Sequence, residues 1–257
     1  MRIPVLKGVI DRRVLANWRC DPEAVAPLLP PPFRPKLAGG YAVAGICLIR
    51  LKALRPKWGN TLPGFVGVSS ENAAHRIAVE WAEPGPDGGL VTREGVYIPR
   101  RDSASRFNTL VGGRLFPGVH HLARFDVREE ADRLHIAVES EDGVTRLLID
   151  ARVAQSLPPS SVFPDLPTAS AFFRGGACGY SPGRAAGELQ GLELRTLRWD
   201  VEPLAVEQVR STFFDDPARF PPGSATFDCA LLMRGVEHEW HEREAPGAVA
   251  AAAACAS

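Results

Sequence analysis

Apolar side chains recur along the chain in alternating or continuous short runs, the spacing of β-strands more than of helices. Such runs cover 13–19, 41–51, 65–81, 90–98, 120–127, 133–140, 144–153, 188–200 and 225–234. Turn chemistry separates them. Gly39-Gly40 precedes the run at 41–51, and the cluster from Pro84 to Gly89 sends 90–98 back antiparallel. Glu141-Asp142-Gly143 makes a tight turn between 133–140 and 144–153. Short helices are expected at 23–29, with Asp21 as N-cap and Pro22 in the first turn, and from a cap at Asp102 or Ser103 to about Val111. Two more fit 168–174 and 206–214. This order predicts an α+β protein on a mostly antiparallel sheet, closed or half-closed as a barrel with short helices packed outside. No linker-like stretch and no repeat divides residues 1–244, so a single domain is expected there. The low-complexity stretch 245–257 is expected to be a frayed, disordered tail.

Along 69–81 alternate side chains face opposite sides of a strand. The odd positions Glu71, Ala73, His75, Ile77, Val79 and Trp81 are the more apolar set, which aims Glu71 and His75 into the barrel interior. An inward carboxylate needs a partner or a shifted pKa, and for Glu71 a structural ion pair and a catalytic role both stand. His120 and His121 open one strand, so one faces inward; such a histidine is more often hydrogen-bonded packing than an acid or base. His238 and His241 share the i, i+3 spacing of metal ligands, but in the charged run 237–242 they read as a solvated face. The cluster Arg93, Arg100, Arg101, Arg106 and Arg114, broken by Glu94 and Asp102, reads as a salt-bridged surface. No nucleophile elbow, dinucleotide fingerprint or Walker motif occurs.

Charge narrows the partners. The 257 residues carry 30 basic and 30 acidic side chains, a balance that argues against a nucleic-acid binder. Of the basic residues 26 are arginines and 4 are lysines, and no lysine follows Lys57. The apolar stretch 41–51 is too short to cross a bilayer, and 1–15 has no apolar core of a secretory signal, so no membrane partner and a cytoplasmic location are expected. The 5 cysteines form no C-x-x-C pair and read as reduced, mostly buried thiols. Nothing in the chain calls for a metal or an organic cofactor. Exposed strand edges make a homo-oligomer plausible.

Three stretches resemble the acetoacetate-decarboxylase-like superfamily: Trp18 to Glu23 with Leu28 to Phe33; Ser70-Glu71-Asn72; and Tyr97-Ile98 through Asp102 to the turn Gly113-Arg114-Leu115-Phe116-Pro117-Gly118. Together they span about 12–125, and the chain looks most like a bacterial branch of unknown function. The resemblance implies a cone-like barrel with an interior pocket. In the decarboxylases a lysine after the Gly-Arg turn forms a Schiff base with the keto acid. Here an ungapped alignment on Gly113-Arg114 places His121 at that position and Leu122 beside it, so the resemblance implies that the nucleophile is missing. It matches Glu71 to the pocket glutamate and Arg12 to the N-terminal pocket arginine.

The expectation is therefore a protein that holds a small organic acid or carbonyl compound in its barrel, with Arg12, Arg114 and Trp81 contacting the ligand. The alternative is a noncovalent acid–base enzyme of lyase or hydrolase type, using Glu71 with His75 or His121.

Overall fold

The computed structural model describes residues 4–57, 68–111, 118–185 and 187–246. Strand β1 (Leu6–Cys20) leads into helix α1 (Pro22–Val25), the short strands β2 (Arg34–Pro35) and β3 (Leu37–Ala38), and the long strand β4 (Tyr41–Pro56). β5 (Val68–Pro84), β6 (Leu90–Ser103) and α2 (Arg106–Val111) follow, then the meander β7 (His120–Glu130), β8 (Arg133–Ser140) and β9 (Arg146–Val153). α3 (Leu166–Gly175), β10 (Cys178–Pro182), β11 (Leu189–Thr196), β12 (Glu202–Ser211) and β13 (Ala225–Arg243) complete the order.

All the strands belong to one sheet, and their pairings close two rings that share the wall β13-β1-β4-β5-β6. One ring, here the pocket ring, is completed by β10 and β11. The other, the core ring, is completed by β7, β8, β9 and β12. Among the described residues only the pairings β6–β10 and β6–β7 are parallel. The α+β class with a mostly antiparallel, ring-forming sheet and few short helices is as expected.

The wall has apolar packing on both sides. From β4, Ala42, Ala44, Ile46 and Leu48 enter the core ring, while Val43, Cys47, Ile49 and Leu51 enter the second core, to which α3 adds Ala169 and Phe173. The unbroken apolar run of β4 is the mark of a strand buried on both faces. In β1 a bulge at Asp11 shifts the register, so that Arg12 and Val14 face the core ring whereas Ile10, Arg13 and Leu15 face the other side.

Several elements differ from expectation. The helix expected at 206–214 is strand β12, ended by a turn through Phe213 and Phe214. Its pairing with β9 has a bulge between Val206 and Gln208, which places Val206 and Val209 three residues apart on one packed face and so imitates a helical period. α2 starts later than expected, because β6 runs through Ser103 and Ser105 Oγ accepts the hydrogen bond from Asn108 N at 3.2 Å. The expected turn at Glu141-Asp142-Gly143 is present, with Gly143 at φ 72°. β13 continues to Arg243, pairing with the start of β1 and with β11. His238 therefore sits buried on a strand, and of the run 237–242, expected as a solvated face, only Glu237 and Glu242 are exposed.

Candidate functional site

The pocket ring encloses a cavity of about 130 Å³. That is roughly the volume that accommodates a benzene-sized molecule. Its apolar lining comes from Ile49, Leu51 and Leu54 of β4, Ile98 of β6, and Leu192 and Leu194 of β11. Gly179 lets β10 approach, since a Cβ there would stand 2.9 Å from Ile98 Cδ1.

Three arginines line this apolar space: Arg13 from β1, Arg76 from β5 and Arg101 from β6. Arg13 Nε donates to Cys47 Sγ at 3.2 Å, and its guanidinium lies 5.6 Å from the Trp199 ring. Arg76 Nη2 donates to Asn17 Oδ1, and the guanidinium lies 5.0 Å from the Phe173 ring. Arg101 Nε donates to Ser181 Oγ at 3.0 Å. Among the described residues none of the three has a carboxylate partner. Burial accordingly pushes Arg76 and Arg101 well below the ordinary arginine value, to about 10. Arg13 Nη1 and Arg76 Nε are buried without a hydrogen-bond partner among the described residues. Buried cations without counter-charge carry a large desolvation cost, which an anion seated among them would offset.

A polar patch adjoins them. Asn72, Asn108 and His120 also line the cavity. Asn108 Nδ2 donates to Ser70 Oγ, Asn72 Oδ1 and Ser103 Oγ at 3.2–3.3 Å, while Ser103 Oγ donates to Asn72 Oδ1 at 2.7 Å. The parallel pairing sets His120 beside Arg101 on the cavity face and His121 beside Asp102 on the opposite face. None of the lysines lines the cavity. Lys36 pairs with Glu94, Lys52 with Asp11 and Lys57 with Glu239.

A family model described as an uncharacterized conserved protein, that of domain-of-unknown-function family 2071, matches residues 10–237. The chain belongs to this family. In three dimensions it is similar to acetoacetate decarboxylase from Legionella pneumophila, with a TM-score of 0.57 and 10% identity over 94% of this chain and 88% of that one. It is also similar to the enduracididine biosynthesis enzyme MppR complexed with the condensation product of pyruvate and imidazole 4-carboxaldehyde: TM-score 0.52, 15% identity, 95% and 89% covered. A third likeness is to an acetoacetate decarboxylase-like enzyme from Sphingomonas wittichii, with a TM-score of 0.50 and 12% identity over 95% of this chain and 94% of that one. These likenesses establish an acetoacetate-decarboxylase-like fold. No curated protein matches the chain by sequence.

The residues expected to act together are not brought to one place. Glu71 faces the core ring, accepting from Arg12 Nη2 at 2.6 Å and Arg50 Nε at 2.5 Å. Glu129 binds the same two guanidiniums at 2.7 and 2.8 Å, closing a ring of two cations and two anions. Arg12, 1% exposed, is thus a member of this network and does not line the cavity. His75, also 1% exposed, packs 4.6 Å from the Phe213 ring; burial first, then Arg100 and Arg219, pushes it down to about 3. His121 Nδ1 lies 3.1 Å from Asp142 Oδ2, which also accepts from Arg100 Nη2. Trp81 belongs to the core-ring aromatics, edge-on to Tyr180 at 5.4 Å, with its Nε1 donating to Glu83. Arg114 lies outside the described residues.

The parity count correctly places Glu71 and His75 in an interior, but the cavity lies on the other side of the same strand, where Asn72 and Arg76 point. The missed signal is that the even face, too, carries apolar residues, Ala74 and Ala78, beside Asn72 and Arg76. Arg101, expected on a salt-bridged surface, lines the cavity half-buried, and Arg100 is the one that pairs with Asp102, at 2.7 Å.

Proposed function

We propose that this protein binds a small organic acid, or a carbonyl compound carrying a carboxylate, in the cavity of the pocket ring, without forming an imine. The observation that carries the reading is the convergence of Arg13, Arg76 and Arg101 on an apolar cavity with no carboxylate partner among the described residues. Apolar walls with a few converging charged donors are the usual make-up of a site for a small anionic molecule. Absence of a lysine from the lining supports noncovalent binding, because an arginine stays protonated and cannot attack a carbonyl. The similar fold of MppR holds a pyruvate-derived product. Balanced charge fits a cytoplasmic protein that takes a small molecule and not a nucleic acid.

Calorimetric titration of butyrate against butyramide tests the reading. Butyrate binds and the isosteric amide does not; equal affinity, or none for either, overturns it. The acid–base alternative gains no support for Glu71 with His75 or His121, which face away from the cavity. Among the described residues His120 and Asp102 are the acid–base residues that line the cavity, Asp102 being held by Arg100, and turnover of the bound acid that disappears in His120→Gln would favour that reading.

A further inference from the structure

The hydrogen-bonding capacity of the cavity specifies more than a negative charge. Asn108 is 5% exposed and lines the cavity. Its amide orientation is fixed by its neighbours. Asn72 Nδ2 donates to Ser70 O and Oγ, so Asn72 Oδ1 is the acceptor that faces Asn108, and the group meeting it must be Asn108 Nδ2. The other end of the amide, Asn108 Oδ1, is buried and has no hydrogen-bond partner among the described residues. Among the described residues, the side chains that line this cavity thus include two buried donors without partners, Arg13 Nη1 and Arg76 Nε, and one such acceptor, Asn108 Oδ1.

A simple carboxylate answers the donors and leaves the acceptor stranded. A 2-oxo acid brings only further oxygen acceptors, so its carbonyl would face Asn108 Oδ1 lone pair to lone pair. An amino acid supplies donors, but its ammonium would sit among three guanidiniums. A hydroxyl group meets the requirement, being a donor without charge. Resting on the carboxylate reading above, we infer that the ligand is a small hydroxy acid, its carboxylate among the arginines and its hydroxyl donating to Asn108 Oδ1.

The test is calorimetry on the full chain with R- and S-2-hydroxybutyrate, 2-oxobutyrate and butyrate. One hydroxy enantiomer binds about tenfold or more tightly than either of the other two acids, the order expected for pairing an otherwise stranded buried acceptor. In Asn108→Ala that preference is lost. Equal binding of all the acids overturns the hydroxyl assignment and leaves the carboxylate reading intact. A preference that survives Asn108→Ala overturns it as well. Binding of none of them, butyrate included, overturns the carboxylate reading itself, and the hydroxyl assignment with it. Because the comparison of acids is made on the unaltered protein, the test stands even where the variant fails to fold.

Discussion

Replacing Arg76 by methionine separates a ligand-binding arginine from a structural one. Burial pushes the Arg76 guanidinium more than two units below the ordinary arginine value, to about 10. At about 1.4 kcal/mol per unit this costs the folded chain on the order of 3 kcal/mol. The sign follows from linkage: pH 7 lies below both the folded and the ordinary arginine value, so the cost is fully present there, and it is relieved only as pH rises past about 10. Methionine removes that cost. It also leaves Asn17 Oδ1 without its donor, at about 1–3 kcal/mol, and removes the cation–π contact with Phe173, at about 1 kcal/mol. These terms nearly cancel, so urea unfolding at pH 7 should show stability within about 1 kcal/mol of the parent. Butyrate affinity measured by calorimetry should fall by about 2–3 kcal/mol, roughly 30- to 150-fold, the worth of a charge-assisted hydrogen bond. A variant that loses about 3 kcal/mol or more of stability and still binds butyrate as tightly as the parent would refute the reasoning, because Arg76 would then be held for packing alone.

Other outcomes follow from the same geometry. Glu71→Gln strips one anion from the network of Arg12, Arg50 and Glu129 and should lower unfolding stability by about 2–4 kcal/mol, with butyrate affinity changed less than twofold. His75 is pushed from 6.5 down to about 3, so the folded state favours its neutral form. Its contribution is present above pH 6.5 and lost as pH falls toward 3, about 1.4 kcal/mol per unit, and His75→Gln should remove about one proton from the slope of unfolding stability against pH in that window. Borohydride added with acetoacetate or pyruvate should leave the protein mass unchanged, whereas a reduced adduct would mean that a lysine reaches the cavity.

Much of the sheet was legible along the chain because strand periodicity and turn residues are local signals. The strands from β4 to β9 lie close to where alternation and glycine turns put them. Bulges were not legible. One extra residue, Asp11, decides that Arg13 and not Arg12 reaches the cavity, and nothing in Asp11-Arg12-Arg13 announces it. The bulge in β12 turned a strand into an apparent helix for the same reason. Choosing the cavity face of β5 needed long-range pairing, since the more polar even face, with Asn72 and Arg76, is the one that turns to the cavity. Adjacency alone gives His120 and His121 opposite directions, and only the parallel pairing with β6 says which of them meets the cavity.

The wall common to the two rings restricts where this protein can change its ligand. A residue on β1, β4 or β5 sits back to back with a neighbour that serves the other interior, so an altered backbone position disturbs both enclosures at once. β11 belongs to the pocket ring alone and supplies Leu192 and Leu194 to the cavity. New specificity is therefore most accessible through β11, which can be recut like a removable panel while the party wall behind the arginines stays in place.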